Sequence, residues 1–139
     1  EVFLQTFNPN NPLLKKIITQ DYNSLFSEAL IARKAPQWPP YSHLALIHAQ
    51  ATKKDLVFRF LNLLEKQGSV INKGKTVILG PVSSPIEKRA GHYRGQLLLL
   101  NQNRKELHKF LDKVCLIITN TKQTRNIRWS IDVDPIDLT

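Results

Sequence analysis

Methionine is absent from all 139 residues and cysteine occurs once, as Cys115. A lone cysteine cannot close an internal disulfide, so the expectation is a reducing cytoplasm. It also leaves no paired cysteines for a zinc ribbon or finger. A natural chain starts with methionine, and the lack of one even at position 1 predicts a segment of a longer protein. No apolar run approaches the ~20 residues that a membrane-spanning helix needs, so no membrane association is expected. The first residues also lack the basic, apolar, then small order of an export signal.

Acidic residues are the other shortage. Eleven stand against 20 lysines and arginines, for a net charge of +9. Such a surplus favours a polyanionic partner, and nucleic acid is the commonest for a compact cytoplasmic domain. The surplus is unevenly placed: before Tyr41 the four cations Lys15, Lys16, Arg33 and Lys34 nearly balance Glu1, Asp21 and Glu28. Almost all the excess therefore lies after Tyr41. The hydrophobic share of 42% is enough for a real core in one domain, or one domain with an appendage.

Along the chain, Val2 to Phe7 alternates in strand fashion and a turn cluster follows through Pro12. Pro12 suits the first turn of a short helix reaching Ile18. Asp21 can cap a second helix whose stripe is Tyr22, Leu25, Phe26, Ala29 and Leu30. Trp38, Pro39, Pro40 and Tyr41 make a stiff connection, which places a domain boundary at 38/39. A strand and two helices cannot bury their own faces, so residues 1–38 read as the tail of a preceding domain.

Beyond the boundary, Ser42 to Ala51 reads as a strand. Thr52 caps a helix to Gln67 with Gly68 as its C-cap glycine, and the face is Leu56, Val57, Phe60, Leu61 and Leu64. Thr76 to Leu79 and Arg94 to Leu100 are the next strands. A helix from Asn103 to Ile118 carries Leu107, Phe110, Leu111, Val114 and Cys115 in register, and Ile127 to Val133 closes the set. The fold class is α+β, in the β-α-β-β-α-β order of the split βαβ, ferredoxin-like arrangement shared by some ribosomal proteins.

The stretch from Leu79 to Leu100 organises the rest. Gly80 and Pro81 end a strand, Pro85 keeps an excursion open, and Gly91 and Gly95 flank His92, Tyr93 and Arg94. Lys88, Arg89, Tyr93 and Arg94 thus form a basic loop with one aromatic, suited to phosphates and to a stacked base. The plainer reading is a solvated hairpin loop. A second basic cluster, Arg104 and Lys105 with Lys109 and Lys113, opens the last helix, where outward-pointing amides favour an anion. The surplus cations are expected to gather on one side of the domain.

Chemistry that needs catalytic groups finds little support. Gly74, Lys75 and Thr76 spell the end of a P-loop, but position 69 is a serine and the segment follows a helix and opens a strand. Cys115 sits on an apolar stripe. His43, His48, His92 and His108 have no zinc spacing. Asp132, Asp134 and Asp137 read either as a metal or acid–base cluster or as acids pairing with Arg128 or Arg125. No enzyme and no cofactor is expected in this segment.

Four segments, VFLQTFNPNNP at Val2 to Pro12, PPYSHLALI at Pro39 to Ile47, GPVSSPIEKRAGHYRGQLLL at Gly80 to Leu99 and RWSIDVDP at Arg128 to Pro135, carry a resemblance. In that order and spacing the chain resembles the C-terminal part of the PriA family of bacterial primosomal proteins N′, replication-restart DNA helicases. The resemblance implies that residues 1–38 are the terminal strand and helices of the second helicase lobe and that 39–139 are the C-terminal domain. It places the ATPase motifs and the zinc-binding cysteines upstream. It implies single-stranded or forked DNA as a ligand, held by Lys88, Arg89, Tyr93 and Arg94. It further implies docking of the acidic tail of single-stranded-DNA-binding protein at Arg104 and Lys105, with other primosome proteins and the upstream lobes as further partners. The alternative left open by the residues is an RNA-binding ferredoxin-like module of ribosomal type.

Overall fold

A computed structural model of the chain describes residues 3–73, 75–121 and 126–138. Two compact units divide at Tyr41/Ser42. In the first, α1 (Pro12–Ile18) and α2 (Tyr22–Lys34) carry the caps expected of them: Asn11 accepts from the Leu13 amide, and Asp21 from the Ser24 amide. Neither helix buries a residue, and Phe26 and Ile31 are 65% and 72% exposed. The strand expected at Val2 to Phe7 does not form: residues 3–7 are irregular, and Val2 lies outside the described residues. Alternation alone makes no strand without a partner ladder.

The second unit contains β1 (His43–Ala51), α3 (Lys54–Ile71), β2 (Val77–Arg89), β3 (His92–Asn101), α4 (Arg104–Asn120) and β4 (Arg128–Val133). The sheet order is β2-β3-β1-β4 and every neighbouring pair is antiparallel. β1 and β2 flank β3, while β3 and β4 flank β1, which is the split βαβ topology of ferredoxin-like folds. Ala45, Ile47, Leu97 and Leu99 pack on one face against Val57, Phe60, Leu61 and Leu64 of α3 and Leu107, Phe110, Leu111 and Val114 of α4. Leu46 and Leu100, on the other face, are also buried. There the chain after β4 returns across the sheet, with Gln96 Nε2 donating to the Leu138 carbonyl at 3.4 Å.

Three boundaries differ from the sequence reading. Helix α3 has Lys53, not Thr52, at its N-cap, and no side chain caps it. It also runs through Gly68 to Ile71. A Cβ at Gly68 would stand 3.3 Å from Ile78 Cδ1 and 3.4 Å from Phe110 Cζ, so this glycine serves close packing inside the helix rather than termination. The largest difference is β2, which passes through Gly80, Pro81 and Pro85 with register shifts between Leu79 and Val82 and between Ser83 and Lys88. β2 is an edge strand, and prolines and bulges are tolerated there because the outer side has no ladder to break.

Candidate nucleic-acid interface

Because β2 continues to Arg89, the expected basic loop is the tip of a long β2–β3 hairpin. Arg89 pairs with His92, and Ala90 (φ 48°) and Gly91 (φ 80°) make the two-residue turn. Positive φ at both central residues is the type I′ geometry that matches strand twist, and Gly91 supplies one of them without strain. Lys88 lies opposite Tyr93, its Nζ 4.8 Å from the ring centroid. Tyr93 packs in turn against the core, and Glu87 forms an ion pair with Lys54 at the start of α3. The tip is thus braced from the helix side. Successive residues alternate faces, so Lys88 and Arg89 leave opposite faces of the ribbon.

Arg94 departs from this group. It pairs across β1 with Gln50, whose other neighbour is Arg128 of β4. The two guanidinium-bearing residues therefore flank Gln50 on the face away from the helices. They line a pocket of about 340 Å³ together with His48, Ser84 and Ser130. Burial, followed by the Arg94 charge, holds His48 below its ordinary value of 6.5, with Asp132 opposing. In the sequence Arg128 opens the RWSIDVDP segment and stands near acids that could pair with it. Its alliance with Arg94 depends on sheet order, which residue spacing does not reveal.

Arg104 and Lys105 lie at the opposite end of β3 from the hairpin tip, on the order of 30 Å away for a ten-residue strand. The surplus cations therefore do not gather on one side. Nor are the first amides of α4 free: Asn103 Oδ1 accepts from the Lys105 and Glu106 amides at 3.0 and 3.2 Å. The anion-receiving helix start expected there is already occupied by its own cap. What remains is the Arg104 side chain, whose Nη2 is 3.3 Å from Asp134 Oδ2, while His43 Nδ1 is 3.8 Å from Asp134 Oδ1. Lys109 and Lys113 belong to a separate cleft of about 340 Å³ lined by Lys73, Lys75, Ile71 and Phe110. Within it Glu106 bridges Lys109 at 3.1 Å and Lys75 at 3.5 Å, and those two lysines lower its pKa.

Among the described residues no three histidines, cysteines or acids come together as a metal site. Gly74 of the P-loop-like triplet and Arg125 lie outside the described residues. No helix is long and apolar enough to cross a membrane among the described residues.

The model of the primosomal protein N C-terminal domain matches residues 34–136. The chain belongs to this PriA C-terminal domain family. It is 35% identical over 138 residues to the replication restart protein PriA of Haemophilus influenzae, covering 99% of this chain and 19% of that protein. With the protein of the same name from Thermotoga maritima it shares 29% over 118 residues, covering 85% of this chain and 15% of that one. The chain thus spans no more than about a fifth of the PriA proteins it matches. Among solved structures it is similar to the de novo designed protein Foldit4, with a TM-score of 0.52 at 9% identity, covering 69% of this chain and 99% of that one. That likeness concerns the fold alone.

Proposed function

We propose that the chain is the C-terminal DNA-binding and protein-docking part of a cytoplasmic replication-restart helicase, the ATPase and zinc-binding parts lying in upstream segments. The observation that carries this reading is the braced basic hairpin on a domain of the PriA family: Lys88 seated on Tyr93, with Arg89 at the tip. A stiff two-stranded ribbon holds cations at fixed spacing, so phosphates are met without ordering a loop first. Arg94 extends the same strand toward the sheet face. Arg104 and Lys105, far from the tip, suit a separate task. A guanidinium can grip a carboxylate with two parallel bonds, so this end receives the acidic tail of single-stranded-DNA-binding protein.

The helices of residues 1–41 leave Phe26, Ile31 and Ile18 exposed. A preceding helicase lobe would cover them, and other primosome proteins would assemble on that larger body. Gel shifts with forked, single-stranded and duplex DNA at two salt concentrations test the reading. Binding that favours single-stranded or forked DNA and falls steeply with salt is expected. Tighter binding to structured RNA would favour the ribosomal type of module instead.

A further inference from the structure

The pocket between β1, β3 and β4 carries chemistry that the hairpin does not need. Its polar lining is rich in groups that donate: Arg94, Arg128, the Ser84 hydroxyl, the Gln50 amide and the His48 ring. Among the described residues no carboxylate lines it. Among the described residues neither Arg94 nor Arg128 forms an ion pair. Ser84 is 3% exposed, and among the described residues its Oγ has no hydrogen-bond partner, nor has His48 Nδ1. A buried hydroxyl without a partner is costly to a fold and calls for an explanation. Here the register supplies one. Ser83 pairs with Gly95, so Ser84 turns to the face of Arg94 and lines the same pocket as the two arginines, which β1 holds apart on either side of Gln50. Donors from all four strands converge on a volume at the lower end of those that hold small ligands.

We propose that this pocket is a seat for a phosphate oxyanion, gripped by Arg94 and Arg128 with Ser84 as the buried donor, and that its carrier is a nucleotide of a single strand. The identity of the carrier rests on the DNA-binding reading; the seat itself does not. A strand crossing from the hairpin tip along β3 would place one phosphate here while a neighbour meets Arg89, which shares that face with Arg94. Arg94 belongs to both regions, so Arg128 and Ser84 are the residues that separate them.

The test is amide-resolved NMR of the 139-residue chain, titrated with inorganic phosphate, with thymidine monophosphate and with a twelve-residue oligothymidylate. Saturable shifts centred on Ser84, Gln50 and Arg128 are expected with each. Arg128→Gln should weaken phosphate at least fivefold, while Lys88→Gln with Arg89→Gln changes it less than twofold. Ser84→Ala should weaken phosphate yet raise the melting temperature of the free protein, which a merely structural serine would not do. If Arg128→Gln weakens the oligomer and the hairpin pair does not, the hairpin reading fails and the seat stands. Dependence on Arg128 for phosphate and monophosphate but not for the oligomer overturns the strand as carrier. Phosphate shifts that do not saturate, or that centre on the Lys73 and Lys75 cleft, overturn the seat.

Discussion

Lys88 lies directly across the β2–β3 ladder from Tyr93, with its ammonium 4.8 Å from the centre of the ring. One face of the aromatic is thereby engaged by the cation, so Tyr93 acts first as a mount for Lys88. An exposed cation–π pair contributes about 0.5–1 kcal/mol. In a double-mutant cycle, Lys88→Gln and Tyr93→Leu should therefore couple by roughly that amount in folding free energy, measured by urea denaturation. On DNA, Lys88→Gln should weaken binding about equally across sequences and flatten the log–log salt slope by about one.

Gly95 lies where β3 passes beneath α3. A Cβ there would meet Val57 Cγ1 at 2.9 Å, Leu61 Cδ1 at 3.0 Å and the Val82 carbonyl oxygen at 3.3 Å. Val57 and Leu61 are fully buried and cannot swing away. Gly95→Ala should destabilise the domain by about 1–3 kcal/mol in urea denaturation, the usual cost of overpacking.

The depressed pKa of His48 has a defined consequence for stability. Well above pH 6.5 the ring is neutral in both folded and unfolded chains and adds no pH dependence. As pH falls below that value the unfolded chain takes up the proton first, so folding weakens until pH passes through the lowered folded pKa. His48→Gln should remove this component from the melting temperature measured between pH 7.5 and 5. Bound phosphate in the adjacent pocket should raise the His48 pKa, visible in the ring proton shifts.

Asp134 holds Arg104 at 3.3 Å with both side chains substantially exposed. Such a pair contributes under about 1 kcal/mol to folding. Asp134→Asn should leave stability nearly unchanged but release the guanidinium, strengthening an acidic tail peptide about two- to threefold by fluorescence anisotropy. Arg104→Ala should weaken that peptide more than it weakens DNA.

Residue spacing revealed the order of elements because two helices and the central strands follow clean periods: Val57, Phe60, Leu61 and Leu64 on one helix, and Leu107, Phe110, Leu111 and Val114 on the other, are all buried. It failed where a residue has two uses. Gly68 resembles a terminator but is a packing glycine, and Pro81 and Pro85 resemble strand breakers but sit on an edge strand. The hairpin's length was hidden by the same prolines. Arg94, Arg128 and Ser84 come from three strands that only the sheet order brings together, and no local pattern encodes that meeting. Likewise, Asn103 fills the amides at the start of α4, a contact that helix periodicity does not announce.

The most direct test of the account is the affinity of the 139-residue chain for a labelled single strand, measured by anisotropy at 50 and 200 mM salt, alone and as the Lys88→Gln, Arg89→Gln double variant. Binding that drops steeply between the two salts, with at least a fivefold loss in the variant at the lower one, is the predicted result. Affinity that ignores both salt and the variant would contradict a DNA-holding hairpin.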